Sequence, residues 1–365
     1  MEWYKLIPQD AFFVRAAEPM EIGESHSSSF LFPPPASTFC GAFRTLTLTQ
    51  NDISIEEYYK NSNSNNNDKA DTKVLNIIKS IGKANEKSAF SICGPLFYDE
   101  EDIYIVCPYT WFAESKKIKK VKNKDNIQDD EDIKIKIIKG KSIPANFIKN
   151  KINAKVKNLI FATNTDTEVS SLGGFYIKLK DFINIDLLDD SGEARIYQSS
   201  YFFRVEPRTG IALDTKIRKN REGHIYSFSY IRLINNFTMI LGVSSQIPIL
   251  DKGTLQLGAE GKLIYYEKLI NSEIVNLINK LLIKETSDYY LSLSSIESDL
   301  VAPEDIVACG NIKYIGGWDM QKRFHKSMIG QYSAGSVFTR KIKEDMIPIK
   351  IDTLEKFIGD VIKIN

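Results

Sequence analysis

The chain has 365 residues, 43% of them hydrophobic and 26% charged, and 48 basic against 47 acidic side chains leave a net charge of +1. That length is about twice a typical domain, so two domains are expected, and the composition suits a chain that buries a sizeable core. The charge balance excludes a protein that grips nucleic acid by bulk charge alone; such a role would need a local groove or partners that share the electrostatic work.

Cys40, Cys93, Cys107 and Cys309 lie far apart and form no CxxC, so neither a zinc site nor a disulfide framework is expected, and no metal or cofactor. The opening "MEWYKLIPQD" lacks the basic start and apolar core of a signal peptide, and no apolar run approaches the roughly eighteen residues that span a bilayer. A cytoplasmic chain without membrane contact is the expectation.

Along the chain, "WYKLIPQDAFFVR" (3–15) reads as an opening strand. His26 follows in the polar loop "GESHSSS"; a loop histidine has the pKa of a general base for cleavage at a 2'-hydroxyl, but that role needs a positioned partner, and an exposed loop residue is the plainer reading. "STFCGAFRTLTL" (37–48) places Phe39, Ala42, Phe43 and Leu46 at helical spacing behind Ser37 or Thr38 as N-cap. The polar "NSNSNNND" (61–68) has nothing to bury, and "TKVLNIIKSI" (72–81) returns to helix through Val74, Ile77, Ile78 and Ile81. "SKKIKKVKNKDNIQDDEDIKIK" (115–136) sets a lysine block beside an acidic one, which reads as a solvated hairpin in preference to an RNA-contacting arm. Residues 184–196, "NIDLLDDSGEARI", read as loop. "HIYSFSYIRL" (224–233) alternates Tyr226, Phe228 and Tyr230 as a half-buried strand does. Helices are predicted over 273–284 and again after Asp352, where Glu355 completes a capping box.

Two glycine-containing leads fail the nucleotide test. In "LQLGAEGKLIYY" (255–266), Ala259 and Glu260 occupy the Lys and Ser/Thr positions of a phosphate loop, and "GKS" at 140–142 has Ile135 where the first glycine belongs. "GGWD" (316–319) offers one carboxylate where two-metal catalysis needs a pair. "GQYSAGS" (330–336) misses the G-x-S-x-G elbow by one residue, and His26, His224 and His325 are isolated from one another.

Five segments in order resemble the RAMP proteins of CRISPR effector complexes, specifically the third subunit of the type III-B (Cmr) complex. They are "PQDAFFVRAAEPM" (8–20), "FLFPPPASTFCGAFRT" (30–45), "EPRTGIALDTKIRKNREGHIYSFSYIRL" (206–233), "LGAEGKL" (257–263) and "GGWDMQKRFHKSMIGQYSAGSVF" (316–338). The sequence departs from the pattern at Ala259, where glycine is usual, and at Lys262, where arginine is commoner. Lysine keeps the charge without arginine's bidentate fork.

The resemblance implies an α+β chain of two tandem ferredoxin-like (RRM-related) domains with polar insertions. The division would fall at 1–224 and 225–365, with insertions at about 51–72 and 115–200. It further implies a non-catalytic subunit that holds the 5' repeat-derived handle of the CRISPR RNA, without a small-molecule substrate. Its protein partners would be the large polymerase-like subunit and the backbone RAMP subunit. A related RAMP activity, metal-independent endoribonuclease processing with His26 as base, is the alternative. Handle binding calls for amides and cations: the glycine loop at Gly258, Gly261 and Lys262, and the helix start at Ser37 and Thr38 with Arg15 and Arg44. The arginine-rich hairpin adds Arg208, Arg218, Lys219 and Arg221, and the C-terminal segment adds Lys322, Arg323, Gly335 and Ser336. Glu260 is expected to brace the loop by accepting backbone amides, and the Tyr226, Phe228, Tyr230 stripe to be core.

Overall fold

A computed structural model describes residues 1–14, 26–28, 31–63, 71–84, 86–122, 134–144, 158–162, 166–187, 191–213, 220–234, 236–270, 273–282, 288–319, 322, 324–343 and 345–349. The fold is mixed α/β and dominated by antiparallel sheets. The chain divides into two compact units, and each gathers three separate segments instead of lying on one side of a single cut. The first comprises Met1–Pro95, Phe203–Ser272 and Tyr314–Ile329; the second comprises Leu96–Phe202, Glu273–Lys313 and Gly330–Asn365.

In the first unit, Trp3 and Tyr4 are both buried although they point to opposite faces, which requires a strand covered on both sides. Glu2–Pro8 is flanked accordingly. It pairs antiparallel with Thr238–Val243, Leu6 opposite Met239, and with Leu263–Leu269, Trp3 opposite Leu269. Lys252–Gln256 completes a hairpin with Leu263–Leu269. The strand ends at Pro8, short of residue 15, because proline brings no amide to the ladder; pairing resumes only as a bridge between Phe12 and Ile231.

The helix Ala36–Gln50 buries Phe39, Ala42, Phe43 and Leu46, as the spacing predicts. Phe43 meets Tyr4 at 5.5 Å between ring centroids, and Gln50 donates to the Tyr266 hydroxyl at 2.9 Å. Full burial of a phenylalanine is worth about 2–3 kcal/mol, so these contacts fix the helix on the sheet. Its N-cap position is taken by Pro35, without a side-chain cap bond, instead of Ser37 or Thr38. Pro35, at φ −68°, is already extended for that role. The helix Thr72–Ile81 matches its predicted limits, with the Asp71 side chain accepting from the Lys73 amide at 2.9 Å.

A long hairpin, Phe203–Leu213 with Asn220–Leu233, also belongs to this unit, running from Phe203 opposite Leu233 to Ile211 opposite Ile225. His26–Ser28 adds to it in parallel, His26 opposite Tyr226.

The second unit orders the strands Ile103–Val106, Tyr176–Lys178, Ser191–Tyr197, Lys134–Lys139, Trp111–Glu114 and Val169–Ser171 side by side. Phe97 and Phe202 stack at 4.2 Å in its core, and Trp111 stacks on Phe182 of the helix Leu179–Leu187 at 4.9 Å. Two sequence expectations change here. Residues 115–122 are helix, because Ser115 and Ile118 are buried on one side while the lysines face water. Ser191–Tyr197, expected as loop, is a strand with Ala194 and Ile196 buried; the acidic residues before it hide a period of two. A further sheet sets Tyr289–Ser292 between Val337–Phe338 and Met346–Ile349. The helix Glu273–Leu282 is described, whereas that predicted after Asp352 lies outside the described residues. Cys93 and Cys107 are buried, Cys40 is half-buried and Cys309 exposed. No helix among the described residues is long and apolar enough to cross a membrane.

Candidate nucleic-acid interface

Residues 257–262 join Lys252–Gln256 to Leu263–Leu269, and the Leu257 amide closes the loop on the Lys262 carbonyl at 3.0 Å. Gly258 and Gly261 take left-handed backbone angles, φ +76° and +59°. They are not equivalent. A Cβ on Gly258 would stand 2.3 Å from the Phe13 carbonyl oxygen, whereas one on Gly261 would meet nothing nearer than Gln256 Nε2 at 3.6 Å. Gly258 therefore lets the loop press on neighbouring backbone, and Gly261 serves the turn alone.

Glu260, between them, is itself left-handed at φ +62°, a conformation that costs a non-glycine residue roughly 1–2 kcal/mol. The Tyr230 hydroxyl holds it, donating to Glu260 Oε2 at 2.5 Å. The brace is thus a tyrosine hydroxyl from the long hairpin, where the sequence suggests backbone amides. The same ring carries two cations, with the Arg208 guanidinium 4.4 Å and Lys262 Nζ 5.4 Å from its centroid. Lys262 also lies 3.7 Å from Glu260 Oε2.

Hairpin register brings these groups together. Glu206 stands opposite Tyr230 and Arg208 opposite Phe228, and alternation puts all four on one face. Ala11, Phe13 and Tyr230 form a buried cluster with Phe228 packed against it, Phe13 lying 5.2 Å from Phe228 and 6.0 Å from Tyr230. The stripe is therefore partly core, as expected, yet its last hydroxyl organises the loop.

Carboxylates balance the cations. Arg232 grips Glu206 through Nε and through a second nitrogen at 3.2 Å, and reaches Asp10 Oδ1 at 2.8 Å. Arg208 lies 3.3 Å from Glu206 and 3.7 Å from Asp10. The Ala11 amide and then the Arg232 guanidinium hold the Asp10 carboxyl below the usual carboxylate range; Arg232 first, then Arg208, does the same for Glu206. Arg208, Arg232 and Lys262 thus face Asp10, Glu206 and Glu260, and the surface is charged but close to neutral. A phosphate entering here would compete with carboxylates for each cation.

The other expected residues fall in different places. Arg44 donates to the Ile81 carbonyl at 2.9 Å and the Glu86 carbonyl at 3.1 Å, so it caps the C-terminus of Thr72–Ile81. Ser37 and Thr38 lie in the first turn of Ala36–Gln50, and the Thr38 amide donates to the Pro35 carbonyl at 3.0 Å. Arg221 lies on the strand Asn220–Leu233, and Lys322 is exposed. Arg15, Arg218, Lys219 and Arg323 lie outside the described residues.

Gly335 and Ser336 belong to the second unit. Ser336 is fully buried, its hydroxyl donating to the Ser333 carbonyl at 2.7 Å. A Cβ on Gly335 would stand 2.7 Å from the Cys107 carbonyl oxygen. Both residues pack the fold from within. Tyr109 explains why: a Cβ on Gly173 would lie 2.0 Å from its ring, and one on Gly310 2.2 Å from its hydroxyl.

Asp10, Glu206 and Arg232 were not among the site residues expected from the sequence; opposed hairpin positions carry that information once the strands are paired about the basic tip. Among the described residues no group of three or more His, Cys, Asp or Glu is placed to hold a metal ion.

The sequence matches the model of the family described as "CRISPR-associated protein (Cas_Cmr3)" over residues 4–356. No curated protein matches it. Among solved structures it is similar to a chain of a cryo-EM structure of the type III-B Cmr-beta bound to cognate target RNA, with 14% identity and TM-score 0.49 over 93% of this chain and 86% of that one. It is also similar to a chain of the crystal structure of the Csm3-Csm4 subcomplex in the type III-A CRISPR-Cas interference complex, with 14% identity and TM-score 0.42 over 96% of this chain and 94% of that one. A chain of the Csm1-Csm4 cassette in complex with cA4 gives 12% identity and TM-score 0.38, covering 96% and 98% of the two chains. The family match spans nearly the whole sequence, and the chain belongs to the Cmr3 family of CRISPR-associated proteins, a family of the type III-B effector complex.

Proposed function

We propose that this chain is a non-catalytic subunit of a type III-B effector complex, built on two tandem ferredoxin-like domains, that binds the 5' repeat-derived handle of the CRISPR RNA. In this reading it also docks on the large polymerase-like subunit, beside the backbone RAMP subunit. The observation that carries the RNA side is the convergence of Arg208 and Lys262 on the Tyr230 ring at the edge of the glycine loop. Cations presented beside an aromatic and a glycine turn suit a backbone phosphate flanked by an unstacked base. The near-neutral balance of that surface fits a subunit whose RNA groove is completed by neighbours, since shared cations then supply the rest of the attraction. Ser37, Thr38, Arg15, Arg218, Lys219, Arg221, Lys322 and Arg323 remain proposed contributors to the same groove.

The test is RNA retention by the reconstituted complex as salt is raised. Arg208→Ala with Lys262→Ala is expected to weaken handle binding and to lower the salt slope by about one for each phosphate left without its cation. An unchanged slope would remove this surface from the RNA path. Site-specific cleavage of repeat RNA by the purified chain, abolished in His26→Ala, would replace the whole reading with an endoribonuclease.

A further inference from the structure

The hairpin at the end of the first unit and the strand Lys313–Ile315 before it expose large apolar side chains. Trp318–Asp319 pairs with Phe324–His325, Asp319 opposite Phe324, and the Lys326 amide donates to the Gly317 carbonyl at 2.8 Å. Phe324 is 67% exposed, Tyr314 66% and Met328 59%. Isolated apolar side chains on a surface are ordinary, but three this large within fifteen residues of chain are not.

Cations are interleaved with them. Lys322 and Lys326 are exposed on either side of Phe324, and between Tyr314 and Ile329 the sequence has one acid, Asp319. A Cβ on Gly317 would meet Lys326 Cδ at 3.4 Å, so the lysine stem lies along a glycine and the neighbouring ring keeps two thirds of its surface in water. The centre of a protein–protein patch is depleted in lysine. An aromatic flanked by lysines instead matches a surface on which bases stack while cations follow the phosphates.

We propose that this hairpin and the strand before it form a stacking arm for unpaired nucleotides, with Phe324 and Tyr314 as base platforms, Met328 as an apolar flank, and Lys322 and Lys326 along the RNA backbone. The inference rests on the RNA-binding reading above and adds base stacking to the phosphate contacts named there. Its ligand is single-stranded RNA, recognised by stacking and not by hydrogen bonds to base edges, so sequence preference at the arm is weak.

The experiment uses the reconstituted complex loaded with CRISPR RNA in which single positions carry 5-iodouridine, with crosslinked peptides identified by mass spectrometry. Crosslinks are expected at Phe324 or Tyr314. Their yield should fall roughly fivefold or more in Phe324→Ala with Tyr314→Ala, and should persist in Phe324→Trp, which keeps a platform. Native mass spectrometry of the same samples reports subunit content. Crosslinks confined to the Tyr230 and glycine-loop surface, unchanged by the double variant, would overturn the arm and leave the function reading standing. A double variant that loses a protein subunit while RNA crosslinks persist would also overturn it, making the patch a protein-docking surface. No crosslink anywhere on the chain would sink both readings together.

Discussion

Two clusters of glycine among the described residues do different work. Gly258 and Gly261 in the first unit form a surface loop, and the room they leave is used by a backbone carbonyl and by solvent. Gly173 and Gly310 in the second unit lie against Tyr109, which fills the room they leave, and at neighbouring Gly335 that room is taken by the Cys107 carbonyl. Tyr109 is tied in further by its amide to the Gly335 carbonyl at 2.9 Å and by its hydroxyl to Ser333 Oγ at 3.1 Å. Both kinds of glycine look alike in sequence, and both "GAEG" and "SAGS" invite a phosphate. What separates them is the group occupying the missing Cβ's place. Where a ring or a carbonyl occupies it, as at Gly173, Gly310, Gly335 and Gly258, the glycine is packing; at Gly261, where a Cβ would meet nothing nearer than 3.6 Å, the loop surface stays open.

The contrast can be broken most sharply at Gly173. Its alanine would drive a methyl into the Tyr109 ring at 2.0 Å, and a ring held on other sides cannot yield as a lysine tip would. Gly173→Ala should cost about 3 kcal/mol or more, read as a fall in the chemical denaturation midpoint. In a Tyr109→Ala background the same change should cost less than about 1 kcal/mol, since the clash is gone. Equal costs in the two backgrounds would refute the cradle.

Within the surface loop, Gly258 and Gly261 sharpen the distinction. Gly258→Ala meets the Phe13 carbonyl oxygen at 2.3 Å in addition to its positive φ, and about 3 kcal/mol is expected. Gly261→Ala carries only the backbone penalty, on the order of 1 kcal/mol. Thermal melts of the two variants check the order, and a Gly261 variant as damaged as the Gly258 variant would mean that the loop is packed throughout.

Local periodicity made much of the fold legible. Thr72–Ile81 and the core face of Ala36–Gln50 could be read because buried residues recur at helical spacing. Ser191–Tyr197 could not, because the acidic residues before it hide the alternation that buries Ala194 and Ile196 beside Glu193 and Arg195. The candidate surface was half legible. Arg208, Gly258, Gly261 and Lys262 are local signals, but Asp10, Glu206 and Arg232 acquire meaning only through pairing between distant strands. Arg44 has a structural role that its charge alone does not announce. Its charge suggests a phosphate, and in the fold its guanidinium donates to the Ile81 carbonyl at the end of Thr72–Ile81 and to the Glu86 carbonyl beyond it.

A smaller effect isolates the bond that links hairpin to loop. Tyr230→Phe keeps the ring under Arg208 and Lys262 while removing the donor to Glu260 Oε2. Stability should drop by about 1 kcal/mol, as for a hydrogen bond to a charged but half-solvated acceptor. Handle binding should weaken by more than that cost implies if the loop's left-handed Glu260 depends on the tether. Binding that tracks stability alone would reduce Tyr230 to a packing residue.

The smallest effect is that of acid on the carboxylates. Asp10 and Glu206 are held below their ordinary range in the fold, so protonation favours the unfolded chain. Their contribution is present above the unfolded values, about 3.9 and 4.3, and is lost as pH falls through the lower folded values. Glu206→Gln should therefore lower the thermal midpoint at neutral pH, and the gap to the parent protein should close as the solution is acidified. The gap should be small, because these side chains stand half in water, where exposed pairs are worth about 0–1 kcal/mol. It should also shrink when salt is raised at neutral pH, since both treatments act on the same attraction. A gap that persists in acid would mean that Glu206 acts through packing, and that the arginines beside it are not held by its charge.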